Sequence, residues 1–204
     1  MENWGPISTF DRGRQTMSRR HSRYNGPVPF ILRDYDLRDY DPADFDTLWR
    51  IDQDCFPPGI SYSRAELNFY MHHRGSFTLV AVKAPRTATA APDLAESSKK
   101  SPPTPLARPP IAGFIVAEVN RGSGHIITID VLAAARRSGV GSLLLRGAED
   151  RLQAAQCRSA ELETAVDNLS ALSFYKRHGY NVIKTFPRYY SNGMDALVLE
   201  KDLA

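Results

Sequence analysis

From residue 30 onward two apolar rhythms take turns along the chain, and their order predicts an architecture. Period-two alternation or short unbroken apolar runs mark strands at FILRDYD (30–36), FTLVAVKA (77–84), PIAGFIVAEV (110–119), HIITIDVL (125–132), AELETAV (160–166), YNVIKTF (180–186) and DALVLEKDL (195–203). Helical spacing predicts four helices. The first, over 41–56, opens on Asp-Pro and carries Phe45, Leu48, Trp49, Asp52 and Phe56 on one stripe. The second, over 63–73, has Ser63 as cap with Glu66 three residues on, the reciprocal pairing of a capping box. The third, over 138–155, puts Val140, Leu143, Leu144, Ala148 and Leu152 on one face, and the fourth, over 168–178, is ended by Gly179. FPPGISYS between the first two helices is a loop, because two prolines and a glycine exclude regular structure.

Strands lead and strand–helix–strand units follow, so the expected fold is α/β (α+β), a mixed central sheet with helices on both faces. Two stretches stand outside this pattern. Residues 1–27 are polar and Arg/Gly/Ser-rich without apolar period, which predicts a disordered arm preceding a domain over 28–204. Residues 85–110 are dense in Pro, Ala, Ser and Thr and offer no core, which predicts a flexible insertion at the tip of a hairpin.

Composition changes this picture little: 42% hydrophobic and 24% charged residues over 204 positions describe an ordinary soluble domain with room for a sizeable core. No apolar run reaches the roughly 18 residues of a membrane span, and no signal-peptide core is seen, so no membrane partner is expected. Two cysteines, Cys55 and Cys157, build neither a disulfide framework nor a zinc site, and a cytoplasmic location is expected. Charge is uneven. Arg12, Arg14, Arg19, Arg20 and Arg23 against Glu2 and Asp11 place the whole net +3 in the arm. A basic arm can touch nucleic acid, but a solvated arm is the reading adopted.

The chemistry concentrates in 125–142, HIITIDVLAAARRSGVGS. Gly139 and Gly141, between a predicted strand and a helix start, let backbone N–H groups converge on an anion, helped by the positive end of the helix dipole. Arg136 and Arg137 add charge suited to a diphosphate. A Walker loop is excluded because no Gly-Lys-Ser/Thr follows, and a dinucleotide fingerprint would want glycine where Leu144 stands. A tight strand–helix turn with solvated arginines is the plain alternative. Glu163 falls mid-strand in AELETAV, sharing a face with Glu161 and Ala165. A carboxylate there must be hydrogen-bonded or functional, unless the strand is an edge and Glu163 lies in water. Tyr175 sits in a Phe-Tyr pair that reads equally as core. His125, at a strand start after Gly122-Ser123-Gly124, reads either as a hydrophilic strand end or as a base of suitable pKa. His72 and His73 diverge by about 100° on a helix, so no metal site is expected from them.

The 125–142 segment resembles the acetyl-CoA-binding motif of the GNAT (GCN5-related) N-acetyltransferase superfamily. Glu163, Asn168 and Tyr175 resemble the Leu-Glu-Val…Asn…Tyr pattern of RimI-type protein N-terminal acetyltransferases. The resemblance implies acetyl-CoA as cosubstrate, with no metal, and direct acetyl transfer in a ternary complex to the N-terminal α-amine of a protein or peptide, a ribosomal protein being one such partner; the alternatives on the same scaffold are a small-molecule or lysine amine as acceptor, or acyl-CoA binding without turnover. It implies that Ile129, Asp130 and Val131 line the pantetheine arm through backbone groups and that Arg136, Arg137, Ser138, Gly139, Val140, Gly141 and Ser142 cradle the pyrophosphate. It further implies Glu163 as general base, Tyr175 as the acid that protonates the CoA sulfur and Asn168 as a CoA contact. His125 stands where related enzymes place a catalytic tyrosine, making it a second candidate base. Tyr189 and Tyr190 resemble one wall of a peptide groove, Phe56, Pro57 and Tyr62 the other, with Ile127 lining the pocket for the first side chain. The family often has proline in the strand–loop stretch where this chain has Ala133, Ala134 and Ala135.

Overall fold

In the computed structural model, which describes residues 34–84 and 108–203, seven strands form one mixed sheet in the order β1-β2-β3-β4-β5-β7-β6. The strands are β1 (Tyr35–Asp39), β2 (Ser76–Lys83), β3 (Ile111–Asn120), β4 (Ser123–Val131), β5 (Ser159–Ala165), β6 (Asn181–Phe186) and β7 (Ala196–Asp202). All neighbours are antiparallel except β4 and β5. The helices are α1 (Phe45–Cys55), α2 (Arg64–His72), α3 (Val140–Ala154) and α4 (Leu169–Arg177). The arm over 1–27 and all of the 85–110 insertion but its last three residues lie outside the described residues.

The apolar pattern sorts onto two layers because strand side chains alternate. Leu79 and Ala81 of β2 join Ile115, Ala117 and Ile126 under α3, while Val80 and Val82 join Phe114 and Val116 under α1 and α2. Ala171, Leu172 and Tyr175 bring α4 to the α3 side. Helices therefore cover both faces, as the alternation of elements predicts.

Two expectations shift in detail. The described part of the first strand runs over 35–39, past the expected end at 36: the period-two pattern continues in YDLRD, and Tyr35 and Leu37 pack toward α3, while residues 30–33 lie outside the described residues. On α3, Leu145 is fully enclosed and Leu143 only half-buried, because the helix spans β1 to β4 and presents a wider stripe than one face. The buried side of α3 also carries Glu149, held by Lys201 Nζ at 2.6 Å.

The capping box of α2 forms as the sequence predicts, with Ser63 accepting from the Glu66 N–H and Glu66 accepting from the Ser63 N–H. A second box precedes α1, built by Asp41 and Asp44 around a 3-10 turn over Pro42–Asp44. The base of the β2–β3 hairpin is closed by Lys83 N–H donating to the Pro110 carbonyl.

Three backbone features shape the centre of the sheet. Arg121 and Gly122, at φ 48° and 84°, make the two-residue turn of the β3–β4 hairpin, and this turn sets Glu118 opposite His125. Register then passes from Ala117↔Ile126 to Val116↔Thr128, leaving Ile127 as an extra residue on β4. The bulge reverses the pleat: Ile126 faces α3, Ile127 faces α1 and α2, and Ile129 faces α3 again. Finally, β4 and β5 pair only from Gly124↔Ala160 to Ile126↔Leu162, so the two parallel strands part beyond that point.

Candidate active site

Parting of β4 from β5 leaves Ile127 to Val131 without a β5 partner, while β3 holds their other edge. Between the Ile127 carbonyl, which accepts from the Tyr62 hydroxyl, and the Val131 carbonyl, which accepts from Arg136 Nε, the open edge can serve an extended ligand arm. Ile129 and Val131 point their side chains into the α3 side of the core, and Asp130 is buried toward α1. The predicted pantetheine segment thus offers backbone, not side chains, to the cleft.

A 3-10 turn over Ala133–Ala135 links β4 to the cradle. Arg137 takes φ 60° and Gly139 φ 94°, so the chain doubles back and enters α3 with glycine as cap. Among the described residues no side chain caps α3, and its first N–H groups and dipole are available to an anion. Arg136, Arg137 and Ser138 are exposed at this turn. Arg136 Nε also donates to the Val131 carbonyl at 3.0 Å, tying the cradle to the end of β4. The Phe174 ring lies 3.4 Å from where a side chain at Gly141 would begin, so the helix start is walled by α4. His178, which the sequence did not single out, latches the same place. Its Nδ1–H donates to the Phe174 carbonyl, leaving Nε2 to accept the Ser142 hydroxyl at 2.9 Å. These features fit a pyrophosphate and pantetheine arm.

On the α1/α2 face the polar side chains gather. His125 Nε2–H donates to Glu163 Oε2 at 2.7 Å, and His125 Nδ1 lies 3.7 Å from Glu118 Oε1. Glu118 Oε2 in turn accepts from His73 Nδ1 at 3.1 Å. Glu163 is therefore half-buried and not on an edge: β5 lies between β4 and β7, and the carboxylate is hydrogen-bonded. Burial works against charge on His125, but the two carboxylates outweigh it and push its pKa up to about 10. The same contact with His125 holds the Glu118 carboxyl below its usual range. His73, which its sequence neighbourhood marks as a plain surface residue, belongs to this chain of polar contacts. Among the described residues no group of His, Cys, Asp and Glu is arranged to hold a metal ion.

Tyrosines surround this cluster. Tyr62 packs against Tyr70 with ring centroids 5.2 Å apart, and its hydroxyl donates to the Ile127 carbonyl at 3.4 Å, at the bulge. Burial and the nearby charges of Glu66, Glu118 and Glu163 push the Tyr70 pKa up to about 12. Burial, with Glu163 and Asp167 nearby, does the same for Tyr190, and burial and Glu163 raise Tyr189. Tyr189 and Tyr190 pack edge to face at 5.1 Å in the β6–β7 loop. Ser191 Oγ donates to the Gly59 carbonyl at 2.9 Å, so the loop carrying Phe56, Pro57 and Tyr62 meets the Tyr189-Tyr190 loop. Both predicted groove walls are thereby on one side of the sheet and linked.

The loop wall is anchored from beneath. The Tyr62 N–H donates to Asp52 Oδ2 at 2.9 Å, and the Tyr62 carbonyl accepts from Trp49 Nε1 and Gln53 Nε2. Tyr175 lies on the opposite, α3 side of the sheet, buried against Tyr180 with its pKa raised by burial first and then by the Asp130 charge. Asn168 is the N-cap of α4: its side-chain oxygen accepts from the Ala171 N–H at 3.1 Å and from Ser170 Oγ at 3.0 Å. Its structural use is thus capping. Sequence reasoning misses Glu118 and Tyr70, although a signal exists for the first. Glu118 continues the inward alternation of Phe114 and Val116, and the Arg121-Gly122 turn fixes its register with His125.

The chain belongs to the acetyltransferase (GNAT) family, whose model matches residues 45–180. An uncharacterized N-acetyltransferase of Methanocaldococcus jannaschii is 37% identical over 92 residues, 45% of this chain and 59% of its own. An N-alpha-acetyltransferase of Sulfurisphaera tokodaii is 32% identical over 81 residues, 39% of this chain and 48% of its own. The chain thus spans about half the length of these curated relatives. Among solved structures, the ribosomal-protein-S18-alanine N-acetyltransferase from Escherichia coli has TM-score 0.63 at 16% identity, covering 83% of this chain and 94% of that one, a likeness of fold. The GNAT family to which the chain belongs uses acetyl-CoA.

Proposed function

We propose that the protein transfers the acetyl group of acetyl-CoA to the N-terminal α-amine of a protein or peptide, by direct attack within a ternary complex. The observation that carries this reading is Glu163. It stands in β5 where the parallel pair opens, hydrogen-bonded to His125, with Tyr70, Tyr189 and Tyr190 close enough to feel its charge. The N-alpha-acetyltransferase named among the relatives supports the choice of amine.

In this reading Ile129, Asp130 and Val131 offer backbone groups to the pantetheine arm, and residues 136–142 hold the pyrophosphate at the uncapped start of α3. Asn168 adds a contact through its amide, since its oxygen is taken by the cap. An incoming α-ammonium must lose a proton before it attacks. Glu163 accepts that proton through water, and His125, already charged near neutral pH, is a donor to Glu163 and not a second base. Tyr175, kept protonated by burial, donates to the departing sulfur. Tyr62, Tyr189 and Tyr190, with Phe56 and Pro57, bind the backbone of the first substrate residues, and Ile127 meets the first side chain. An α-amine suits this base better than lysine, whose higher pKa leaves it more fully protonated. Free thiols at Cys55 and Cys157 suit work in a reducing cytoplasm, and no helix among the described residues is long and apolar enough to cross a membrane.

Matched peptides test the assignment, one with a free N-terminus and one N-terminally blocked with an internal lysine. Acetylation of the free N-terminus is expected; acetylation of the blocked peptide alone overturns it. Glu163→Gln and Tyr175→Phe should lower kcat by about 10²-fold or more while acetyl-CoA binding persists, and wild-type rates in both would remove them from the reaction.

A further inference from the structure

We infer that Glu118, at the end of β3, is a positioning residue: with His73 behind it, it holds His125 so that the ring keeps its Nε2–H on Glu163. The inference rests on Glu163 being the base. Its ground is geometric. The β3–β4 turn places Glu118 directly opposite His125, and the side chains of Glu118, His125 and Glu163 all project to the α1/α2 face. An imidazole with one acceptor can rotate about its χ2 bond and change tautomer. One hydrogen-bonded to a carboxylate at 2.7 Å on one nitrogen, with a second carboxylate in ion-pair range at 3.7 Å on the other, is favoured in that orientation and with both protons. Glu118 is itself oriented by His73 at 3.1 Å, from the end of α2.

The groups facing His125 come from every neighbouring element. They are Glu118 from β3 and Glu161 from β5, its two register partners, and Glu163 from β5, with His73 at the end of α2 behind Glu118 and with Tyr70, Tyr189 and Tyr190 near Glu163. The donor on Glu163 is a charged imidazolium, which bonds more strongly than a neutral imidazole. With Glu118 uncharged, His125 would titrate within the working pH range and the donor would weaken above its pKa.

The test uses Glu118→Gln, which keeps the shape and removes the charge, with Glu118→Asp as the conservative variant. NMR of isotope-labelled histidine follows His125 directly, and acetyl-CoA binding together with far-UV circular dichroism confirms that each variant is folded. In the wild type His125 should stay protonated through neutral pH, and in Glu118→Gln it should titrate about one to three pH units lower. The kcat profile should then gain an ionisation, with kcat about tenfold lower above it, as a charged donor becomes neutral, while KM for acetyl-CoA is unchanged. Glu118→Asp should restore most of both. An unchanged His125 titration and pH profile in Glu118→Gln overturns the inference. Absence of wild-type turnover on every free N-terminus would instead sink the proposed function, and the NMR comparison would still decide what Glu118 does to His125.

Discussion

Asp52 offers a prediction whose size can be worked from the structure. It lies on α1, wholly buried, beneath the loop that carries Tyr62. Its Oδ2 accepts from the Tyr62 N–H and from Gln53 Nε2, while Oδ1 has no hydrogen-bond partner among the described residues. Burial, only partly offset by those bonds, raises its pKa from 3.8 to about 6. Below pH 3.8 the carboxyl is protonated in both folded and unfolded chains, so it costs nothing. Between 3.8 and about 6 only the unfolded chain releases the proton, and stability falls as pH rises. Above that window the penalty is constant at about 3 kcal/mol, from 1.4 kcal/mol per pH unit. Asp130, buried nearby with its own pKa raised by burial and by the Asp52 charge, pushes in the same direction.

Asp52→Asn keeps an oxygen for both donors and cannot ionise. Its unfolding free energy should match the wild type near pH 4 and exceed it by up to about 3 kcal/mol at pH 7.5, a Tm difference of roughly 6–12 °C for a domain of this size. Urea denaturation followed by circular dichroism at several pH values reads the difference. Parallel curves for the two proteins across pH would refute the reasoning, because a packing effect has no reason to follow the titration.

Other expectations are briefer. A side chain at Gly113 would start 2.3 Å from the Asp130 carbonyl, so Gly113→Ala must push β3 from β4. It should cost about 1–3 kcal/mol in urea unfolding and weaken acetyl-CoA binding measured by calorimetry, since the displaced segment edges the cleft. Asn168→Ala removes the α4 cap at about 1 kcal/mol, and Asn168→Ser should recover most of that stability in thermal melts without restoring any cofactor contact made by the amide.

Elements with strong local signals are legible in the amino-acid sequence. The Ser63–Glu66 capping box forms as predicted because its two bonds join residues three apart. The strands from β2 onward follow their apolar periods within a few residues. The glycine cradle is legible for the same reason, since a positive φ at the helix cap is a local demand that Gly139 alone meets there without strain. His73 and Glu118 are not legible as a pair. They sit far apart in sequence, and their contact depends on α2 ending beside β3.

By itself, then, the sequence determined which segments are strands and helices, where a glycine turn opens a helix, and which acids and tyrosines were available for chemistry. Those follow from periodicity, backbone freedom and side-chain type, all local properties. Only the tertiary structure decided that β4 and β5 part after Ile126↔Leu162, that Glu163 is half-buried and hydrogen-bonded, and that His125 carries charge between two carboxylates. Strand order and burial set these outcomes. A group's protonation depends on the charges and solvent around it in space, and spacing along a chain does not encode them.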